Sequence, residues 1–127
     1  MTFQVLIVSS DPLFCHVAGA CLAFSGMSSA VTNCPFEAAA LGERACYVIV
    51  DFDMASAGGL ELIRRLKRET GVPIIALAEA STAAERILAL EAGADAMMSK
   101  AYLPAELCLR LHSMRSGETA RPRLAAA

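Results

Sequence analysis

The chain has 127 residues, 56% of them hydrophobic and 19% charged, with a net charge of −2. The length fits one domain with a sizeable core, and the composition excludes a disordered chain. The charge balance excludes a domain-wide electrostatic footprint for nucleic acid, and Gly, Pro or charge breaks every apolar run short of the roughly 18–20 residues a membrane span needs.

Phe3–Val8 (FQVLIV) predicts a first strand with no basic segment of a signal peptide before it. In the Ser9-Ser10-Asp11-Pro12 run that follows, Asp11 suits a helix N-cap and Pro12 the first helical position. Leu13, Val17, Ala20, Cys21 and Phe24 then recur at helical spacing until Gly26. Ser29–Thr32 predicts a second, less pronounced strand, and Pro35–Leu41 a short Ala-rich helix ended by Gly42. Cys46–Val50 is apolar throughout, as a central parallel strand covered on both faces should be, and Asp51 stands at its carboxyl end.

After a loop rich in Ala, Ser and Gly, Leu60, Ile63, Leu66 and Lys67 mark an amphipathic helix stopped by Thr70-Gly71. Pro73–Leu77 predicts a fourth strand. Ser81 suits the cap of a helix that has Glu85 near the capping-box position, Ile87, Leu88, Leu90 and Ala92 inside it, and Gly93 closing it. Ala96–Ser99 predicts a fifth strand and Pro104–Met114 a fifth helix. Residues 116–127 are polar, Pro-interrupted and then Ala-rich, the composition of a linker or disordered tail.

Five strand–helix units predict an α/β fold, a doubly wound five-stranded parallel sheet with five helices. Chemistry in such sheets sits at the carboxyl ends of the strands. That directs attention to Ser9-Ser10-Asp11, Asp51-Phe52-Asp53, Ala78-Glu79 and Lys100. The five cysteines (15, 21, 34, 46 and 108) are scattered, odd in number and without a CxxC pair. They read as small core residues of a protein in a reducing cytoplasm, with redox sensing by one of them as the sharper alternative.

At these residues the chain resembles the response-regulator receiver domain, a flavodoxin-like (CheY-like) fold, over positions 3 to 115, which makes residues 1–115 the expected domain. The run from Tyr47 through Asp51 to Gly59-Leu-Glu-Leu-Ile63 is similar to the family's third strand, phosphoacceptor Asp, loop and following helix. Pro73–Leu77 resembles the fourth strand, and Glu85–Asp95 followed by Ser99-Lys100 resembles the fourth helix leading into the strand that carries the family's lysine. The resemblance makes Asp51 the phosphoacceptor and Lys100 the cation for the phosphoryl oxygens. Asp53 belongs to the same pocket.

Several positions depart from that pattern. The family's acidic pair after strand 1 falls on Ser9 and Ser10, leaving Asp11 and Asp51 as weak candidates for a metal. Mg²⁺ wants octahedral oxygen coordination anchored by carboxylates, so its binding is expected to be weak or absent, with no other cofactor. The hydroxyl that senses the phosphoryl group is replaced by Ala78, the aromatic switch residue by Met97, and the Pro after the lysine by Ala101. The resemblance therefore implies a non-enzymatic, atypical receiver that works largely without phosphorylation.

Tyr102-Leu-Pro-Ala-Glu-Leu-Cys-Leu-Arg110-Leu is similar to the run that marks the OmpR/PhoB subfamily of DNA-binding regulators. That subfamily dimerises through its fourth helix, fifth strand and fifth helix. Arg86 with Glu106 and Asp95 with Arg110 match cross-subunit pairs by position and sign, whereas Glu91 faces His112 where a Lys is usual and a second Asp is Ala96. The implied partners are a second copy, a histidine kinase, and DNA through a C-terminal output domain that would follow residue 116. No membrane partner is implied.

Other readings use the same residues. A conventional receiver phosphorylated on Asp51 is one, and an adaptor holding a ligand in the pocket of Asp51, Ser10 and Lys100 is another. The Asp51-Phe52-Asp53 triplet also looks like that of haloacid-dehalogenase phosphatases, but stands on the third strand with Ala55 where Thr or Val belongs. A flavin phosphate loop at Ser9-Ser10 conflicts with the Asp11-Pro12-Leu13-Phe14 that follows. Arg64, Arg65, Lys67 and Arg68 read first as the solvated face of a helix and second as a docking site for an acidic partner.

Overall fold

The alternation of short apolar strands and helices carries through the chain. The computed structural model describes residues 4–51, 59–78, 82–99, 106, 109–111 and 113. Its elements are β1 (Val5–Val8), α1 (Pro12–Phe24), β2 (Ser29–Thr32), α2 (Pro35–Gly42), β3 (Tyr47–Asp51), α3 (Gly59–Thr70), β4 (Ile74–Ala78), α4 (Ala83–Ala92) and β5 (Ala96–Ser99). Glu106, residues 109–111 and Ser113 are helical, inside the span expected for the fifth helix. Phe3 and residues 116–127 lie outside the described residues. Among the described residues no helix is long and apolar enough to cross a membrane.

The strands form one parallel sheet in the order β2-β1-β3-β4-β5. Every residue of β1, β3 and β4 is buried, which is what helices on both faces impose on a central parallel strand. Successive side chains point to opposite faces and divide the core in two. Leu6, Val8, Val48, Val50, Ile74 and Ala76 pack with α3 and with the small Ala89 and Ala92 of α4. Val5, Ile7, Tyr47, Ile49, Ile75 and Leu77 pack with Ala18 and Leu22 of α1 and with Leu111.

Two helices turn other faces inward than their spacing suggested. On α1, Ala18 and Leu22 are buried, Cys21 is half-buried, and Leu13, Val17 and Phe24 are 73%, 38% and 95% exposed. The helix contains no Asp, Glu, Lys or Arg, so several stripes satisfy an apolar period and packing against the sheet selects among them. On α4, Ile87, Leu88 and Leu90 lie at the surface, because the alanines let the helix close on the sheet with its bulky side out. Its cap is Thr82, one residue beyond Ser81, which is outside the described residues. The Thr82 hydroxyl accepts from Glu85 N–H and the Glu85 carboxylate accepts from Thr82 N–H, completing the capping box.

Gly93 closes α4 at φ +126°, and a Cβ there would stand 2.9 Å from Lys67 Cβ. Glycine is therefore required twice over, by backbone conformation and by space. The lysine stem it makes room for brings Nζ within 2.9 Å of both the Val72 carbonyl and Asp95 Oδ2. Ile74 N–H also donates to Asp95 Oδ2, at 2.8 Å. Asp95 thus ties the end of α3 to the entries of β4 and β5.

Candidate functional site

The carboxyl edge of β1 and β3 is where the strand order changes direction, and parallel register decides which residues meet there. Val8 pairs with Val50, so the next residues along, Ser9 and Asp51, stand side by side. Both are 2% exposed. The Ser9 hydroxyl donates to Asp51 Oδ2 at 2.7 Å and accepts from Asp11 N–H at 3.0 Å. Ser9 N–H bonds the Thr32 carbonyl, so the main chain fixes the side chain's position.

The result is a chain from the α1 entry through a neutral hydroxyl to a buried carboxylate. Such relays strengthen each member, and a hydrogen bond to a charged group is worth about 1.5–3 kcal/mol. Proximity in sequence gave no signal for the Ser9–Asp51 contact; strand register does.

The other pocket residues divide clearly. Asp11 is half-buried, and its Oδ1 accepts from Phe14 N–H at 3.1 Å, so this carboxylate caps α1. Ser10 is exposed and, with Ser9, Pro12, Cys15, Thr32 and Glu37, lines a cavity of ≈ 390 Å³ on the β2 side. Ala78 ends β4 beside Asp51's strand, and it packs in the same buried cluster as Met97 of β5. Asp53 and Lys100 lie outside the described residues. Among the described residues, no three His, Cys, Asp or Glu side chains gather closely enough to hold a metal ion.

The charged residues of the second candidate site are at the surface. Arg86 and Glu91 are exposed on α4, and Glu106 and Arg110 are exposed and helical. Met98, Glu106, Leu109, Arg110 and Ser113 border a depression of ≈ 500 Å³. Leu109 is 68% and Ile87 56% exposed, so apolar and charged groups are interleaved across the α4–β5 side. Asp95 engages Lys67 within the chain, and His112 lies outside the described residues.

The basic run on α3 has partners on its own domain. Arg64 meets Glu61 at 3.7 Å, Arg65 meets Glu69 at 3.1 Å, and Lys67 meets Asp95. The first two are the i, i+3 and i, i+4 pairs of a solvated helix face, and the third reaches from α3 to the entry of β5.

Comparison with known proteins agrees with this architecture. The model of the response regulator receiver domain matches residues 5–112. The DNA-binding response regulator MtrA of Mycolicibacterium smegmatis is 30% identical over 115 residues, covering 89% of this chain and 50% of that protein. The chain thus spans about half the length of the curated relatives it matches over most of its residues. Among solved structures, a response regulator from Thermotoga maritima superposes with a TM-score of 0.81 at 22% identity, covering 91% of this chain and 99% of that one. HP1043, an orphan response regulator of H. pylori, gives 0.78 at 20% identity, covering 87% and 94%. At these identities the superpositions speak for the fold.

Proposed function

This chain belongs to the response regulator receiver domain family, and from that membership we propose that it is an atypical receiver controlling transcription through dimerisation, largely without phosphorylation of Asp51. Receivers of this family work in two-component signalling, and the matched relatives are transcription regulators. The proposed partners are a second copy, a histidine kinase, and DNA through an output part of the kind those longer relatives contain.

One observation carries the reading: the Ser9 hydroxyl donates a 2.7 Å hydrogen bond to Asp51 Oδ2 where the resemblance puts a metal-binding acid. A divalent cation would supply charge neutralisation to a transferring phosphoryl group. Here the neighbouring donor is neutral, and Asp11 uses its carboxylate to cap α1. Ser9, Ser10 and Asp11 do not fit Mg²⁺, which favours a site anchored by carboxylates. Ala78 has no hydroxyl to follow a phosphoryl group, and Met97 has no ring to turn. The proposed role is signalling rather than catalysis, with no resident cofactor.

The proposed dimer uses α4, β5 and the helical residues around Arg110. Exposed Ile87, Leu90 and Leu109 supply apolar area, and Arg86, Glu91, Glu106 and Arg110 supply partner selection. The proposed interface includes Asp95, whose side chain is 43% exposed beside Lys67, as the cross-subunit partner of Arg110; a two-fold axis repeats that pair, so Arg110→Ala removes it twice. At about 0.5–1 kcal/mol per exposed pair, dimer affinity should fall about tenfold. Sedimentation velocity of the unmodified chain at micromolar concentration should show a dimer that Arg110→Ala weakens and Asp51→Asn leaves intact. A strict monomer, or a dimer indifferent to Arg110→Ala, would remove this interface.

A further inference from the structure

Asp95 stands in the proposed interface and is also bound within its own chain. Lys67 Nζ donates to Asp95 Oδ2 at 2.9 Å, and Ile74 N–H donates to the same oxygen at 2.8 Å. Asp95 Oδ1 takes no bond among the described residues. Asp95 N–H in turn donates to the Ile74 carbonyl at 2.8 Å, so Ile74 holds the acid in place by two bonds that do not involve the lysine.

The lysine is fixed as well. Its stem fills the space that Gly93 leaves open: a Cβ at position 93 would lie 2.9 Å from Lys67 Cβ and 3.0 Å from its Cγ. Nζ also donates to the Val72 carbonyl at 2.9 Å, a second anchor independent of Asp95.

We propose that Lys67 is a built-in competitor for Asp95, occupying the carboxylate that Arg110 of a second copy would use and so holding the dimer below its full strength. The inference rests on the dimer proposed above and adds the residue that restrains it. An approaching guanidinium meets Lys67 and Asp95 as a nearly neutral pair. Attraction and repulsion both fall as the inverse of distance, and the ammonium stands one hydrogen bond behind the carboxylate, so most of the attraction is cancelled. A mobile lysine would turn into water as the guanidinium arrived. This one stays, anchored at Gly93 and Val72. A neutral side chain in its place leaves Asp95 held by Ile74 and returns the full carboxylate charge to the interface. If Lys67 only tied α3 to β4 and β5, neutralising it would alter stability and leave dimer affinity unchanged.

An exposed ion pair changes an affinity by roughly two- to fivefold, and a two-fold axis repeats the change. Neutralising Lys67 should therefore tighten the dimer about tenfold, read by sedimentation velocity of the whole chain across micromolar concentrations. Lys67→Met keeps the stem beside Gly93, and Lys67→Gln is a second neutral replacement. Lys67→Arg keeps the cation and should dimerise as the parent does. In an Arg110→Ala background neither neutral variant should change the affinity. Circular dichroism should report the parental fold, since Asp95 keeps its bonds to Ile74. Neutral variants that dimerise no more tightly than the parent would overturn the proposal. So would a gain that persists without Arg110, or one that Lys67→Arg reproduces. Failure of the dimer itself reads differently: the parent and Arg110→Ala would then sediment alike.

Discussion

Ser9→Asp combined with Ser10→Asp is expected to give the chain a Mg²⁺ response that it otherwise lacks. The Ser9 hydroxyl stands 2.7 Å from Asp51 Oδ2, so a carboxylate introduced there faces Asp51 at close range. Without metal the two negative charges repel, and the variant should be less stable than the parent at neutral pH. Acidification should relieve this penalty, since protonating either carboxylate removes the repulsion. A cation bound by the pair reverses it, and Mg²⁺ at a hundredfold excess over its Kd adds about 2.7 kcal/mol by linkage. Urea unfolding with and without millimolar MgCl₂ reads the effect. Ser9→Ala, which removes the hydrogen bond and adds no carboxylate, should lose stability and gain no Mg²⁺ response. Equal midpoints for the double variant with and without Mg²⁺ would contradict this account of the pocket.

The second large effect lies in α1. Leu22 is fully buried among Val5, Ile7 and Ile49, and Leu22→Ala should cost about 2–5 kcal/mol through lost transfer energy and the cavity left behind. A domain of this size has about 5–15 kcal/mol in total, so the unfolding midpoint should drop sharply. Phe24, two residues on, is larger yet 95% exposed, and Phe24→Ala should change stability by no more than about 0.5 kcal/mol. Chemical denaturation of both variants checks the contrast. Comparable losses would mean that Phe24 packs against the domain rather than facing outward.

That contrast marks where the sequence could be read and where it could not. β1, β3 and β4 are legible because an unbroken apolar run of four or five residues beside a breaker suits little else. The α1 start is legible from Asp11-Pro12, a cap with a specific chemical cause. Which stripe of α1 turns inward is not, because on a helix without charge nothing marks the outer face. On α4 the size of the side chains misleads instead, since alanines rather than the larger Ile87, Leu88 and Leu90 meet the sheet.

Asp51, Ser9, Ser10 and Ala78 could be placed at strand ends from pattern alone. Their pairing required the β1–β3 register, which a single sequence does not encode locally. Asp95 carries an intrachain bond that the sequence does not announce. Its sign and position matched a cross-subunit pair, yet Lys67, 28 residues away, bonds it within the chain.

The most direct test of the central claim is acetyl phosphate with millimolar Mg²⁺, followed by intact-mass measurement of the unmodified chain. The mass should remain that of the unphosphorylated protein, because a neutral hydroxyl stands beside Asp51 in place of a metal-binding carboxylate. A Mg²⁺-dependent gain of one phosphoryl group that Asp51→Asn abolishes would contradict that claim and make this a conventional switch.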